Sequence, residues 1–290
     1  MIILTIKEAL NYSIDKLKQA NVEEPFSKTK IVIANTLNVN KEYLIINENE
    51  FLNNEQIDRI KSSIDKLIQG IPLQYITNLQ EFMGLNFYVD ENVLIPQPDT
   101  EILAEEAIGI LQNIENPKIL DLCTGSGAIA ISIAKKCVWV GLASAHHVVA
   151  SDISSKALNI AKTNCKKHNV EYIELIESDL FNNIHERFNI IVSNPPYIKT
   201  KVIKTLSKEV KHEPMLALDG GQDGLDFYRR IINEAHKFLE PDGYLCLEIG
   251  FDQKDKVINL IKESKKYCNI YSKKDLAGND RIVVCQTLNL

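Results

Sequence analysis

The sequence predicts an α/β protein, a doubly wound sheet preceded by a small N-terminal helical domain. Three observations carry this expectation. Residues 1–70 place their apolar side chains at helical spacing. From residue 118 onward, short apolar runs alternate with helical stretches, the pattern of strands joined by crossover helices. The first of those runs, Lys118-Ile119-Leu120-Asp121-Leu122, passes straight into a glycine-rich loop, Cys123-Thr124-Gly125-Ser126-Gly127. Strand, glycine loop and helix in that order let backbone amides approach a ligand closely.

The elements follow in chain order. Thr5-Ile6-Lys7-Glu8 has the form of a capping box, a hydroxyl and a carboxylate three residues apart. Ile6, Ala9, Leu10, Ile14 and Leu17 then keep helical spacing. A second helix starts after Pro25, with Ile31, Ala34 and Leu37 on one side, and a short third includes Tyr43 and Leu44. A fourth runs from about Asn54 through Ile57, Ile60, Ile64, Leu67 and Ile68 until Gly70 and Pro72 close it. The expected division is a helical domain over 1–71, a connecting segment with a β-hairpin over 72–98, and the α/β domain over 99–290. In the connecting segment, Gly84 and Asn86 interrupt the apolar residues of 81–89, as in a hairpin. Asp99 reads as the N-cap of a helix that ends near Gln112.

Beyond the glycine loop, a helix is expected over Ala128–Lys135, a strand over Val148–Asp152, a helix over Ser155–His168 and a strand over Tyr172–Ile176. The connection Lys136–His147, with the only tryptophan, Trp139, is long for a crossover and has no assigned role. A helix to about Leu239, a strand over Tyr244–Ile249, a helix after Gln253 and two last strands complete the sheet.

Composition excludes several function classes. With 290 residues, 45% hydrophobic and 25% charged, the chain can bury a substantial core. A net charge of −6 counts against a grip on phosphate backbones, so direct nucleic-acid binding is not expected. No apolar run reaches membrane-span length, and the first residues lack the order of a signal peptide. Six cysteines without paired metal-ligand spacing suit reduced thiols in a cytoplasm. His146-His147 has no acidic or cysteine partner at helical spacing, and no metal is expected.

The stretch that carries chemistry is Ile190-Ile191-Val192-Ser193-Asn194-Pro195-Pro196-Tyr197-Ile198. An apolar strand stops at Asn194, and two prolines then forbid both helix and further strand pairing. The strand end presents one carboxamide, the proline carbonyls and one aromatic ring. That set suits a planar, amide-like group, with hydrogen bonds to its NH2 in the plane and a ring on its face. Alone, Asn-Pro-Pro is also an ordinary strand-ending turn. The glycine loop upstream favours a cofactor site beside a reaction site. Asp152, at the end of the second strand, can accept both hydroxyls of a ribose, a role shared by NAD and S-adenosylmethionine sites. The loop lacks the full G-x-G-x-x-G pattern and does not by itself separate these cofactors.

Asn194-Pro195-Pro196-Tyr197 after such a loop resembles the amino-group methyltransferases that use S-adenosylmethionine. These include adenine-modifying DNA enzymes and the glutamine methyltransferases of peptide-chain release factors. Glu81–Val89, Val93–Glu101 and Asp275–Arg281 resemble the release-factor enzymes (the HemK/PrmC family), and so do Glu213-Pro214 and the run Ala217–Arg229, which are foreign to the DNA enzymes. The likeness covers most of residues 72–287 and the first 70 only weakly. It implies a seven-stranded methyltransferase fold with its last strand antiparallel, and S-adenosylmethionine as cofactor. The implied reaction is methyl transfer to the side-chain amide nitrogen of the glutamine in the Gly-Gly-Gln motif of release factors.

The resemblance assigns Cys123, Thr124, Gly125, Ser126, Gly127, Asp152, Asp179, Leu180 and Asn194 to cofactor binding. Asp179 would accept from the adenine amino group, and Leu180 would lie against the ring. Asn194, Pro195, Pro196 and Tyr197 fall to the substrate, with Asn194, Pro195 and Tyr197 catalytic. Two positions depart from the family: Gln97 stands where an arginine is usual, and Cys123 where glycine is usual. The backbone at Cys123 is therefore expected to avoid positive φ. Over residues 1–90, nine Lys or Arg face twelve Asp or Glu, without the basic excess of a DNA reader. The helical domain either docks a protein substrate or caps the larger domain.

An amide nitrogen is a poor nucleophile because its lone pair is delocalised. The Asn194 side-chain oxygen and the Pro195 carbonyl would hold its two N–H bonds, with Tyr197 on the amide plane and the lone pair aimed at the methyl carbon. Catalysis is then largely positioning and electrostatics, without a strong general base. Two rivals remain at this stage: methylation of a flipped adenine in DNA or RNA, and a non-catalytic translation-factor binding protein.

Overall fold

The computed structural model describes residues 4–139 and 147–288. They form two compact units. One holds the chain through Leu79 together with Ser207–His212; the other holds Gln80–Leu206 and the chain from Glu213.

The first unit comprises β1 (Leu4–Thr5), α1 (Ile6–Gln19), α2 (Pro25–Leu37), α3 (Lys41–Ile46), β2 (Phe51–Leu52), α4 (Asn54–Ile68) and α5 (Leu73–Thr77). The expected capping box forms, with Glu8 N donating to Thr5 Oγ1 at 3.2 Å and Thr5 N to Glu8 Oε2 at 2.8 Å. A second box, Asn53 with Gln56, opens α4. The apolar faces of α1, α2 and α4 meet around Ile6, Leu17, Val32, Ile33, Ile60 and Ile64. The β1–β2 pairing and α5 lie outside the sequence expectation, since two-residue strands and a five-residue helix leave no readable period. Ser207–His212 belongs here through Glu209, which pairs with the largely buried Lys28 at 2.7 Å. Gly70 has φ +88°, and a Cβ there would stand 2.8 Å from Lys208 Cβ, so glycine is needed for both turn and contact.

The second unit opens with β3 (Gln80–Phe82) and β4 (Leu85–Phe87), joined through Met83 and Gly84 at φ +56° and +76°. Two successive positive φ values are those of the tight hairpin turn that matches strand twist. Asp99 is not the helix cap expected of it. Pro98–Thr100 already forms a 3-10 turn leading into α6 (Glu101–Leu111), and no side chain caps either start. Asp99 instead pairs with Arg281 at 2.8 Å.

Then follow β5 (Lys118–Leu122), α7 (Ala128–Trp139), β6 (His147–Asp152), α8 (Ser155–Lys167), β7 (Glu174–Glu177), β8 (Phe188–Ser193), α9 (Thr200–Ile203), α10 (Met215–Leu218), α11 (Asp226–Glu234), β9 (Leu239–Glu248), α12 (Lys254–Ser264), β10 (Tyr267–Lys274) and β11 (Asp280–Thr287). Helix α7 runs four residues past its expected end, so the connection before β6 opens as helix over 136–139; 140–146 lie outside the described residues. Strand β9 starts earlier than expected, at Leu239, and Asp242 adopts φ +59° within it.

The seven strands are ordered β10-β11-β9-β8-β5-β6-β7. Neighbours from β7 through β5 to β9 are parallel, and β11 is antiparallel to both β9 and β10, as the resemblance implies. Alternate residues serve opposite faces. Ile119, Val148, Ile190, Val192, Ile282 and Val284 pack with α6 and α7. Leu120, Val149, Ile191, Leu245, Leu247 and Val283 pack with α11 and α12. Strand order reverses at β5, which lies between β6 and β8, and such a switch point opens a crevice at the carboxyl ends of the strands.

Candidate active site

The crevice holds a cavity of about 190 Å³, walled by the loops that follow β5, β6, β7 and β8. Among the residues assigned from sequence, Cys123, Gly125, Asp152, Asp179, Leu180, Asn194 and Pro196 line it. Thr124, Ser126, Gly127, Pro195 and Tyr197 are not among the residues that line it.

The glycine loop turns sharply off β5, and Thr124 N donates back to Ser151 O at 2.9 Å. Cys123 has φ +60°, which corrects the expectation that it avoids positive φ. The turn requires the left-handed conformation whatever residue stands there, so this chain accepts a steric cost that glycine would not incur. Gly125 and Gly127 are also left-handed, and a Cβ on Gly127 would meet Ile131 Cδ1 at 3.1 Å and Ala161 Cβ at 3.3 Å. Behind the loop lies Asp121, which sequence reasoning passed over. Its Oδ2 accepts from Thr124 Oγ1 at 2.6 Å and from Ala130 N at 3.1 Å, clamping the loop to the helix start. Burial pushes its carboxyl up to about 7. The readable signal was a carboxylate inside an otherwise apolar strand.

Asp152 accepts from Gly125 N and Ser154 N, both at 2.9 Å. Burial raises its pKa, and these backbone bonds oppose the rise. Asp179 Oδ1 pairs with Arg230 at 2.8 Å. Leu180, at φ +52°, is held by Ser178, whose hydroxyl donates to the Leu180 carbonyl at 2.7 Å. Val93 and Leu94 add apolar wall, and their segment is fixed by Glu213 Oε2, which accepts from Ile95 N at 3.0 Å. Gln97, the position departing from the family arginine, donates to the nearby Ile95 carbonyl at 3.0 Å and is not in the wall.

Asn194 follows β8, and its Nδ2 donates to the buried Thr100 Oγ1 at 3.3 Å. That bond leaves its Oδ1 as the free edge of the carboxamide. Pro195 and Pro196 are buried. The Tyr197 hydroxyl lies 3.4 Å from Glu248 Oε1, and burial raises its pKa, so the phenol stays neutral. Gln253, almost wholly buried, donates from Nε2 to both the Tyr197 and Gly224 carbonyls at 3.0 Å. Thr100, Glu248 and Gln253 were not singled out from sequence, because they come from three distant segments. His147, at the opposite end of β6, pairs with Glu186 at 2.7 Å; His146 lies outside the described residues.

Comparison with known proteins identifies the family of both parts of the chain. Residues 8–77 match the PrmC N-terminal domain and residues 100–221 the Methyltransferase small domain. The release factor glutamine methyltransferase of Clostridium acetobutylicum is 38% identical over 286 residues, covering 97% of this chain and 98% of that protein. The protein of the same name in Buchnera aphidicola is 39% identical over 279 residues, covering 96% and 98%. A ribosomal protein L11 methylase of Lactobacillus delbrueckii shares the fold, with a TM-score of 0.50 at 19% identity over 69% of this chain and 84% of that one. With full-length relatives above 30% identity and both parts of the chain matched, the protein belongs to the release factor glutamine methyltransferase family.

Proposed function

We infer that this chain transfers a methyl group from S-adenosylmethionine to the side-chain amide nitrogen of a glutamine in peptide-chain release factors. The observation that carries the reading is the Asn194 carboxamide, whose NH2 is engaged by Thr100 and whose oxygen is left for an acceptor beside the cavity.

The residues fit the cofactor. Asp152 and Asp179 offer carboxylates to hydroxyl and amino donors, while Val93, Leu180 and Phe227 give apolar wall for a ring. Arg230, the cation among the described residues lining the cavity, is already answered by Asp179, which favours a pyrophosphate less than a free cation would. When bound, S-adenosylmethionine supplies an electrophilic methyl group. The chain's part is to orient. Asn194 Oδ1 and the Pro195 carbonyl take the two N–H bonds of the substrate amide and turn its nitrogen toward the donor. Pro195 and Pro196 hold that pair of acceptors rigidly, so little reorganisation is needed at the moment of transfer. Tyr197 is neutral and serves as a surface for the amide plane rather than a base.

Three finer points complete the reading. The acceptor is the glutamine of a Gly-Gly-Gln motif. The helical domain, 1–71, docks the protein substrate, the connecting segment spans 72–98, and catalysis belongs to 99–290. The work is done in the cytoplasm and without direct nucleic-acid binding, which the net charge of −6 supports. No helix among the described residues is long and apolar enough to cross a membrane. Mass spectrometry of release factors incubated with the protein and S-adenosylmethionine tests the reading. A single methyl group on the glutamine peptide is expected, and its absence with cofactor bound overturns it.

A further inference from the structure

We propose that Thr100 and Glu248 are positioning residues for methyl transfer: Glu248 sets the rotor of the Thr100 hydroxyl, and Thr100 sets which edge of the Asn194 carboxamide faces the acceptor. The inference rests on the amide-methylation reading above and adds to it the groups that make Asn194 competent.

An Asn amide has nearly the same shape in its two flipped orientations, so packing alone does not choose between them. Only polar partners do. Asn194 Nδ2 donates to Thr100 Oγ1 at 3.3 Å. A hydroxyl has one proton, so a Thr100 that accepts from Asn194 must send its own proton elsewhere. The carboxyl beside it is Glu248, at the end of β9 and fully buried. Glu248 Oε1 takes the Tyr197 hydroxyl, while Oε2 carries no completed hydrogen bond among the described residues. A charged Glu248 therefore draws the Thr100 proton, makes Thr100 a pure acceptor toward Asn194, and leaves Oδ1 for the substrate.

A protonated Glu248 does the opposite. Its O–H can donate to Thr100, the Thr100 proton is released toward Asn194, and the flipped amide is stabilised with NH2 where oxygen is needed. The surroundings keep both states within reach. Arg281 on β11 faces Glu248, but its guanidinium is shared with Asp275 and Asp99, each at 2.8 Å. Tyr197 faces it from the turn after β8, and Tyr228 on α11 donates its hydroxyl to the Glu248 backbone carbonyl at 2.8 Å. Burial outweighs the one shared cation and holds the carboxyl at about 7. A buried acid with one oxygen unanswered is costly, and orienting the catalytic amide gives this one a use.

The test is single-turnover methylation of a release factor at saturating S-adenosylmethionine, across pH 6 to 8. The wild-type rate should rise about tenfold, as one group near 7 predicts. Glu248→Gln, which presents a permanent donor to Thr100, should be flat and roughly ten- to a hundredfold slower at pH 8, with cofactor affinity unchanged. Thr100→Val should lose rate to a similar degree, and Thr100→Ser should restore it. A wild-type rate and pH profile in Glu248→Gln overturns the proposal. So does equal activity of the valine and serine variants, which stays decisive should Glu248→Gln not fold. A wild-type protein that methylates no release factor at any pH overturns the underlying reading, and the proposal with it.

Discussion

Gly220 lies so close beneath Tyr197 that a Cβ on it would stand 2.7 Å from Tyr197 Cα and 2.8 Å from the Pro196 carbonyl oxygen. The glycine-rich stretch after α10 is thus the floor on which the Asn-Pro-Pro-Tyr turn rests. Gly220→Ala should push that turn outward and cost about 1–3 kcal/mol of stability, the usual price of overpacking. Methyl transfer should fall more than cofactor affinity does. Denaturant unfolding paired with calorimetric titration of the cofactor checks both parts, and unchanged turnover would remove the floor from the argument.

Cys123 carries a strained backbone inside the cofactor loop. Cys123→Gly should stabilise the protein by up to about 1 kcal/mol, since relief of the left-handed strain is partly offset by greater freedom of the unfolded chain. Cys123→Val should destabilise it by about 1–3 kcal/mol, because a β-branched residue tolerates that conformation poorly. Thermal unfolding of the two variants should move in opposite directions.

Glu213 is buried beside Ile95 N, and burial raises its carboxyl to about 7. A folded pKa above the unfolded value means that the native state binds the proton more tightly. The contribution of Glu213 to stability therefore falls as pH rises from about 4.5 to about 7. Glu213→Gln keeps an acceptor for Ile95 N without the charge. It should be more stable than wild type at pH 8, by on the order of 1–3 kcal/mol, and the advantage should vanish near pH 4.5. Unfolding curves at both pH values, if parallel, would place the raised carboxyl elsewhere.

Asn194 and Asp152 should separate cleanly. Asn194→Ala removes one preorganised acceptor and should slow methyl transfer on the order of 10²–10³-fold with little change in cofactor affinity. Asp152→Ala should weaken S-adenosylmethionine binding by roughly 1.5–3 kcal/mol. Near-normal single-turnover transfer by a folded Asn194→Ala protein would falsify the orienting mechanism. Calorimetry showing unchanged cofactor binding would take Asp152 out of the site.

How much of this was legible follows from where the information sits. The strands, the glycine loop and the Asn194 turn are local patterns, since apolar runs, glycines and prolines act on their own backbone. The clamp behind them is not local. Thr100 meets Asn194 across 94 residues, and Tyr197 meets Glu248 across 51. Glu248 and Asp121 are charges inside apolar strands, which a periodicity argument treats as noise although burial makes them chemically distinctive. Asp99 misled for a related reason. Its sequence context is that of a cap, but Arg281, almost two hundred residues on, claims it.

The helical unit has a further consequence for how the chain comes into being. Part of it, Ser207–His212, is encoded far downstream, and the Lys28–Glu209 pair joins residues 181 positions apart. During synthesis the first 79 residues can collapse on their own helices, but their last contacts wait until residue 212 has left the ribosome. By then β5, β6, β7 and β8 have all been made. Completion of the amino-terminal unit is therefore a late event in the birth of the protein, coming after the turn that holds Asn194 has been made.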